Sequence, residues 1–155
     1  MQIYSYYNKE IKKNVLSKNL HTLIFGCAYN LKIKKGVLPE SLHTLTLGYS
    51  YNQKIKEGVL PKFLHTLKLG YFFQKDIVIP ESVKEIELYS HNNLINNLPC
   101  NIETVYIKFD YDIETDRIVD NLPVTLKKIV IQEYSFMEYI KKIPFDCEVE
   151  VRNFN

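Results

Sequence analysis

The feature that most constrains this 155-residue chain is the placement of its six prolines, each of which opens the same phrase: an aliphatic residue, proline, then hydrophobics at fixed offsets. Leu38-Pro39 leads to Leu42, Leu45 and Leu47, and Leu60-Pro61 leads to Leu64, Leu67 and Leu69. A template restated in this way belongs to a repeat array, in which each unit buries its apolar face against its neighbours. Looser copies start at Ile79-Pro80, Leu98-Pro99, Leu122-Pro123 and Ile143-Pro144, and Leu16-Ser17 begins the same unit without proline. Counted from Leu16, the starts are 22, 22, 19, 19, 24 and 21 residues apart, the length of a solenoid coil.

Within a coil, Leu45-Thr46-Leu47 alternates with the two-residue period of a short strand. Proline fixes φ and donates no N–H, so each proline belongs on the connection entering the strand. Gly36 and Gly58 stand two residues before the next Leu-Pro, where a turn with positive φ is expected, and Asn14 takes the equivalent place. A second mark, Tyr7-Asn8, Tyr29-Asn30, Tyr51-Asn52 and Phe73-Gln74, is followed by Ile11, Ile33, Ile55 and Ile77. Its amides are expected to ladder from coil to coil, satisfying backbone groups that cannot reach a sheet partner.

The expected fold is a β-rich α/β solenoid, a right-handed array of about seven coils with one parallel sheet on its concave face. Residues 1–155 form one repeat domain: a partial coil over 1–15, coils over 16–37, 38–59, 60–78, 79–97, 98–121 and 122–142, and a terminal strand over 143–155. Met1-Gln2-Ile3 occupies a strand position, with Tyr4, Tyr6 and Tyr7 available to fold over it, and Tyr134–Ile140 suggests a short helix on the outer side.

These residues resemble the FNIP repeat of amoebal and giant-virus proteins, in which Leu-Pro-x-x-Leu-x-x-Leu-x-Leu-Gly is followed by Tyr-Asn-x-x-Ile. The likeness is closest from Tyr7 to Gly70 and loosens after Pro80, where Asn92-Asn93 and Tyr111-Asp112 replace the aromatic-Asn pair. It implies a curved, leucine-rich-repeat-like solenoid, although Ser50 stands where an ordinary leucine-rich repeat has asparagine. Family members often couple such an array through an F-box to ubiquitin-ligase machinery. No F-box is expected ahead of the repeats, so the resemblance is expected to carry over the recognition half alone.

Strand positions facing away from the leucines are the candidate binding surface: Thr44, Thr46, Thr66, Lys68, Glu85, Glu87, Tyr106 and Lys108. The threonines suit strand propensity, whereas the mixed acidic, aromatic and basic set is not demanded by the fold. His21, His43 and His65 recur at one coil position and are expected to stack. One straight edge diverges poorly into tetrahedral ligation, so repeat inheritance is favoured over a metal site; full protonation would set neighbours repelling by about 1 kcal/mol. Asp110, Asp112, Glu114 and Asp116 alternate in the longest coil without the glycine and terminal glutamate of a calcium loop, and are read as a solvated loop.

Residues 1–75 carry 12 lysines against 3 acidic residues, and residues 76–155 carry 8 basic against 15 acidic, a larger asymmetry than the net charge of +2 conveys. Either the basic half, with Lys32, Lys34, Lys54 and Lys56 on the non-strand side, docks an acidic partner, or copies associate end to end. Nucleic acid is disfavoured because arginine is absent from the basic half. Cys27, Cys100 and Cys147, an odd number without C-x-x-C spacing, are read as reduced and mostly packed thiols.

No phosphate loop, His-Glu-x-x-His or Gly-x-Ser-x-Gly is present, so no enzyme, cofactor or metal is expected. The expectation is a non-catalytic protein-interaction module working through the concave sheet or the basic N-terminal half, located inside the cell, in the host cytoplasm if viral. The alternatives are an assembly protein associating through its terminal coils, or the substrate-recognition part of a ubiquitin-ligase adaptor. No membrane contact is expected, since no run of 18 apolar residues occurs.

Overall fold

The computed structural model describes residues 1–3, 5–109 and 118–152 and groups them into two compact units, Met1–Val83 and Lys84–Asn155. In the first unit three short strands, β1 (Thr22–Ile24), β2 (Thr44–Thr46) and β3 (Thr66–Lys68), pair in parallel with Leu23, Leu45 and Leu67 in register. All three leucines have no exposed surface, so the apolar member of each Thr-Leu-x triplet forms one shared interior. Gln2 adds a parallel bridge to Ile24, which places Met1-Gln2-Ile3 at the strand position expected for it.

Each coil enters its strand through the same turn. The carbonyls of Pro39, Pro61 and Pro80 accept from the N–H groups of Leu42, Leu64 and Val83 at 3.1, 3.2 and 3.1 Å, and Ser17 does the same for Leu20 at 3.1 Å. Proline stands at the first turn position, where no donor is asked of it. Between coils, the carbonyl of His21 accepts from both His43 and Thr44, and that of His43 from both His65 and Thr66.

Behind the sheet, Tyr29, Tyr51 and Phe73 stack at centroid separations of 6.2 and 6.3 Å. Beside them runs the expected amide ladder: Asn8 Oδ1 accepts from the N–H of Asn30 at 3.1 Å, Asn30 Oδ1 from that of Asn52 at 2.9 Å, and Asn52 Oδ1 from that of Gln74 at 3.0 Å. Gly36, Gly58 and Asn14 adopt φ of 78°, 71° and 64°, as the turn chemistry requires.

The second unit uses longer strands: β4 (Glu85–Tyr89), β5 (Thr104–Lys108), β6 (Lys128–Ile131) and β7 (Glu148–Val151), again parallel and in chain order. Ile86, Val105 and Ile129 are fully buried in register, followed by Leu88, Ile107 and Ile131. The proline turn recurs at Pro99, Pro123 and Pro144. The helix anticipated near Tyr134 forms as a 3-10 helix, Tyr134–Tyr139, and a second spans Ile95–Asn97. Phe136 on the former stacks on Phe109 at 4.3 Å. Among the described residues the connections are turns and 3-10 helices, and the helical share of the expected α/β class takes that form.

One expectation fails. The cysteines are free, but Cys27 and Cys100 are exposed and only Cys147 is half-buried, rather than packed. Cys27 follows Gly26 at the outward corner that Tyr49 and Tyr71 occupy in later coils, and Cys100 follows Pro99 on the outside of the turn. Neither position faces the leucine interior.

Candidate recognition surface

Alternation along each strand turns every second side chain outward, and the outward set differs between the two units. On the first unit the rows read Thr22 and Ile24, Thr44 and Thr46, then Thr66 and Lys68; no carboxylate appears among them. Thr44, Thr46, Thr66 and Lys68, predicted as binding residues, are half-buried on this face. Beside it His43 and His65 stack with centroids 4.8 Å apart and planes 10° from parallel, as the repeat position implies. Among the described residues no cluster of three or more potential ligands could hold a metal ion.

At the corner where β2 and β3 end, Tyr49 and Tyr71 stack at 4.9 Å, and Phe72 meets both edge-on at 5.1 and 5.0 Å. Tyr49 remains 47% exposed and Phe72 50%, so fixed aromatic surface stands in water. The first coil has Cys27 and Ala28 at these places, which shows that coil closure does not call for an aromatic there. The outward-face reading passed over this trio, although Leu47-Gly48-Tyr49 and Leu69-Gly70-Tyr71 repeat it in plain view.

On the second unit the outward charges meet one another. Glu87 is only 8% exposed, and its carboxylate pairs with the ammonium of Lys108, one strand over and two residues along. The Lys108 ammonium also lies 5.8 Å from the ring centre of Tyr89. Lys128 sits between Glu148 and Glu150 at 3.4 and 2.5 Å, and Glu150 receives Arg152 at 2.6 Å. Hydrogen bonds first from Lys128 and then from Arg152 hold the Glu150 carboxyl below the usual glutamate range, and the bond to Glu150 holds Lys128 above the usual lysine range.

Val130, which also points outward, has no exposed surface, whereas Glu85 and Tyr106 are half-buried. Of the four predicted residues here, Glu87 and Lys108 are therefore bound to each other, and Glu85 and Tyr106 keep more open surface. Asp110, Asp112, Glu114 and Asp116 lie outside the described residues.

On the non-strand side Lys32, Lys34, Lys54 and Lys56 are all exposed, with Lys34 on Glu10 at 2.5 Å and Lys54 on Asp76 at 2.6 Å. Those hydrogen bonds keep Glu10 and Asp76 below their ordinary ranges. No helix among the described residues is long and apolar enough to cross a membrane.

The FNIP Repeat family model matches residues 7–50 and again 51–90, more than half of the chain. The chain belongs to the FNIP repeat family. Among solved structures, this FNIP protein is similar to CroV588, a giant-virus protein described as a novel circular LRR protein, at 34% identity and a TM-score of 0.68. The match covers 84% of the FNIP chain and 20% of CroV588, so the chain spans about a fifth of that protein's length. No curated protein matches it. The matched residues 7–90 contain the amide ladder, the proline turns and the aromatic corner of the first unit.

Proposed function

We propose that this FNIP protein is a non-catalytic protein-interaction module, working inside the cell, and that it grips its partner with the outward face of β1–β3 and the aromatic corner beside it. The carrying observation is the trio Tyr49, Tyr71 and Phe72, which packs ring against ring and leaves Tyr49 and Phe72 about half in solvent. Exposed, pre-ordered aromatics are the side chains that anchor protein interfaces, because they bury much apolar area at little entropic cost. Thr44, Thr46 and Thr66 supply hydroxyls alongside, and the stacked histidines supply ring nitrogens. The second unit's face has its Glu87, Lys108, Lys128 and Glu150 engaged with one another and serves mainly to hold its strands. Family and fold support an interaction or structural module of this kind.

The test is affinity capture from an extract of the producing cells, with wild type set beside a Tyr49→Ala, Phe72→Ala double variant and a Glu85→Ala, Tyr106→Ala double variant. Loss of the captured partner with the first pair and retention with the second is expected. Equal recovery by all three would remove the aromatic corner from the interface.

A further inference from the structure

Among the described residues, two strand edges, one in each unit, carry backbone groups that meet no partner strand, with apolar side chains beside them. In the first unit, Ile3 donates to the carbonyl of Ile24 at 2.8 Å, and Ile24 donates to that of Met1 at 2.9 Å. Backbone groups alternate sides along a strand, so the N–H and C=O of Gln2 point away from β1. A cavity of about 230 Å³ opens on this side, lined by Met1, Ile3, Tyr7, Ile11, Val15 and Leu16, and Val15 is 67% exposed.

In the second unit, Glu148 donates to Lys127 and Arg152 to Ile131, both at 2.8 Å and both toward β6. The same alternation points the backbone groups of Val149 and Val151 away from β6. Their side chains are half-exposed, and Phe145 on the turn before them is 91% exposed.

The two edges fit each other. In a parallel ladder one residue brackets its partner by donating to the residue before it and accepting from the residue after it. Gln2 would donate to the carbonyl of Val149 and accept from the N–H of Val151, which sets Gln2 opposite Glu150, Met1 opposite Val149 and Ile3 opposite Val151. That register joins apolar-polar-apolar to apolar-polar-apolar, the alternation kept by Leu45-Thr46-Leu47, Leu67-Lys68-Leu69 and Ile86-Glu87-Leu88. Charge agrees: residues 1–18 carry four lysines against one glutamate, and residues 133–150 carry five carboxylates against two lysines.

The geometry points to a second copy of this chain as the occupant: its β7 edge adds in parallel to the Met1-Gln2-Ile3 edge of the first, in a head-to-tail contact. Exposed edges of this kind pair unless something blocks them, and two different surfaces meeting leave each copy with one edge still open. This association is independent of the recognition face and survives if that face proves inert.

Sedimentation velocity over a concentration and salt series tests it, using wild type, Gln2→Pro and Val151→Pro. Each proline removes one outward N–H while leaving the bonds to β1 or β6 in place. Wild type is expected to gain mass with concentration and lose it with salt, and each variant alone is expected to stay monomeric. A mixture of the two should form a dimer and nothing larger, because each retains the edge that the other lacks. Circular dichroism checks the fold; should Val151→Pro melt it, Gln2→Pro, at an exposed peripheral residue, decides alone. Wild type that remains monomeric throughout, Gln2→Pro that assembles like wild type, or a mixture of folded variants that yields no dimer would overturn the proposal.

Discussion

A β-carbon on Gly70 would stand 1.9 Å from the carbonyl oxygen of Gly48, and one on Gly48 would stand 2.0 Å from that of Gly26. Successive coils touch backbone to backbone at this corner, and no flexible side chain can give way. Gly48→Ala or Gly70→Ala is expected to cost about 1–3 kcal/mol or more, as forced overpacking does. At Gly36, whose nearest neighbour is the yielding Lys13 side chain, the penalty arises from its φ of 78° instead and should be about 1–2 kcal/mol. Urea unfolding of the three alanine variants checks this; a Gly48→Ala protein as stable as wild type would contradict the close approach.

The amide ladder makes a separate prediction. Asn30 Oδ1 accepts from Asn52 N–H and also from Gln53 Nε2, at 2.9 and 3.1 Å. Asn30→Ala leaves both donors without that acceptor, at a cost of about 1–3 kcal/mol, whereas Asn30→Asp keeps the acceptor and should cost less. Amide exchange locates the effect: the Asn52 N–H should lose protection in the alanine variant and keep it in the aspartate variant.

Lys108→Met strips the nearly buried Glu87 carboxylate of its cation and should destabilise by about 1–3 kcal/mol. Replacing both, as Glu87→Gln with Lys108→Met, should recover much of that loss. Thermal melts of the double-mutant cycle measure the coupling, and additive losses would show that the pair contributes little.

The β6–β7 ion network should leave a mark on the pH dependence of stability. Glu150 is depressed by Lys128 and Arg152, so its contribution is present above the unfolded glutamate value and disappears as pH falls through the lower folded value. Lys128 is raised by Glu150, so its contribution is present below the unfolded lysine value and disappears as pH rises through the higher folded one. The network is therefore complete from about pH 5.5 to about pH 9.5. Melting temperatures of wild type and Glu150→Gln should differ inside that window and converge in acid below it. A gap that persists undiminished in strong acid would rule the network out as its source.

What the sequence disclosed was whatever each coil decides by itself. Leu-x-Leu alternation located the interiors of β2 and β3, the prolines located the turns, and Gly36 and Gly58 revealed their positive φ because a local turn requires it. Strict repetition also announced the amide ladder between coils, but properties that rest on one particular group in another coil stayed hidden. The burial of Glu87 rests on Lys108 in the next strand, and the need for glycine at 48 and 70 comes from a carbonyl 22 residues earlier. Ser41 and Ser82, which donate to the carbonyls of Leu20 and Leu64 at 2.9 and 2.7 Å, form a hydroxyl ladder that the gap at Phe63 obscures in the sequence. The thiols were misread for the same reason, since apolar character says nothing about which corner of a coil a residue occupies.

Sharing of one interior between successive coils is the claim on which the fold and the surface both depend, and Leu45 tests it. Its side chain is fully buried and in register with Leu23 and Leu67. Leu45→Ala should cost about 2–5 kcal/mol, and residue-resolved hydrogen exchange should show protection falling in Thr22–Ile24 and Thr66–Lys68 as well as in Thr44–Thr46. Loss confined to Thr44–Thr46, with both flanking strands as protected as in wild type, would contradict the account.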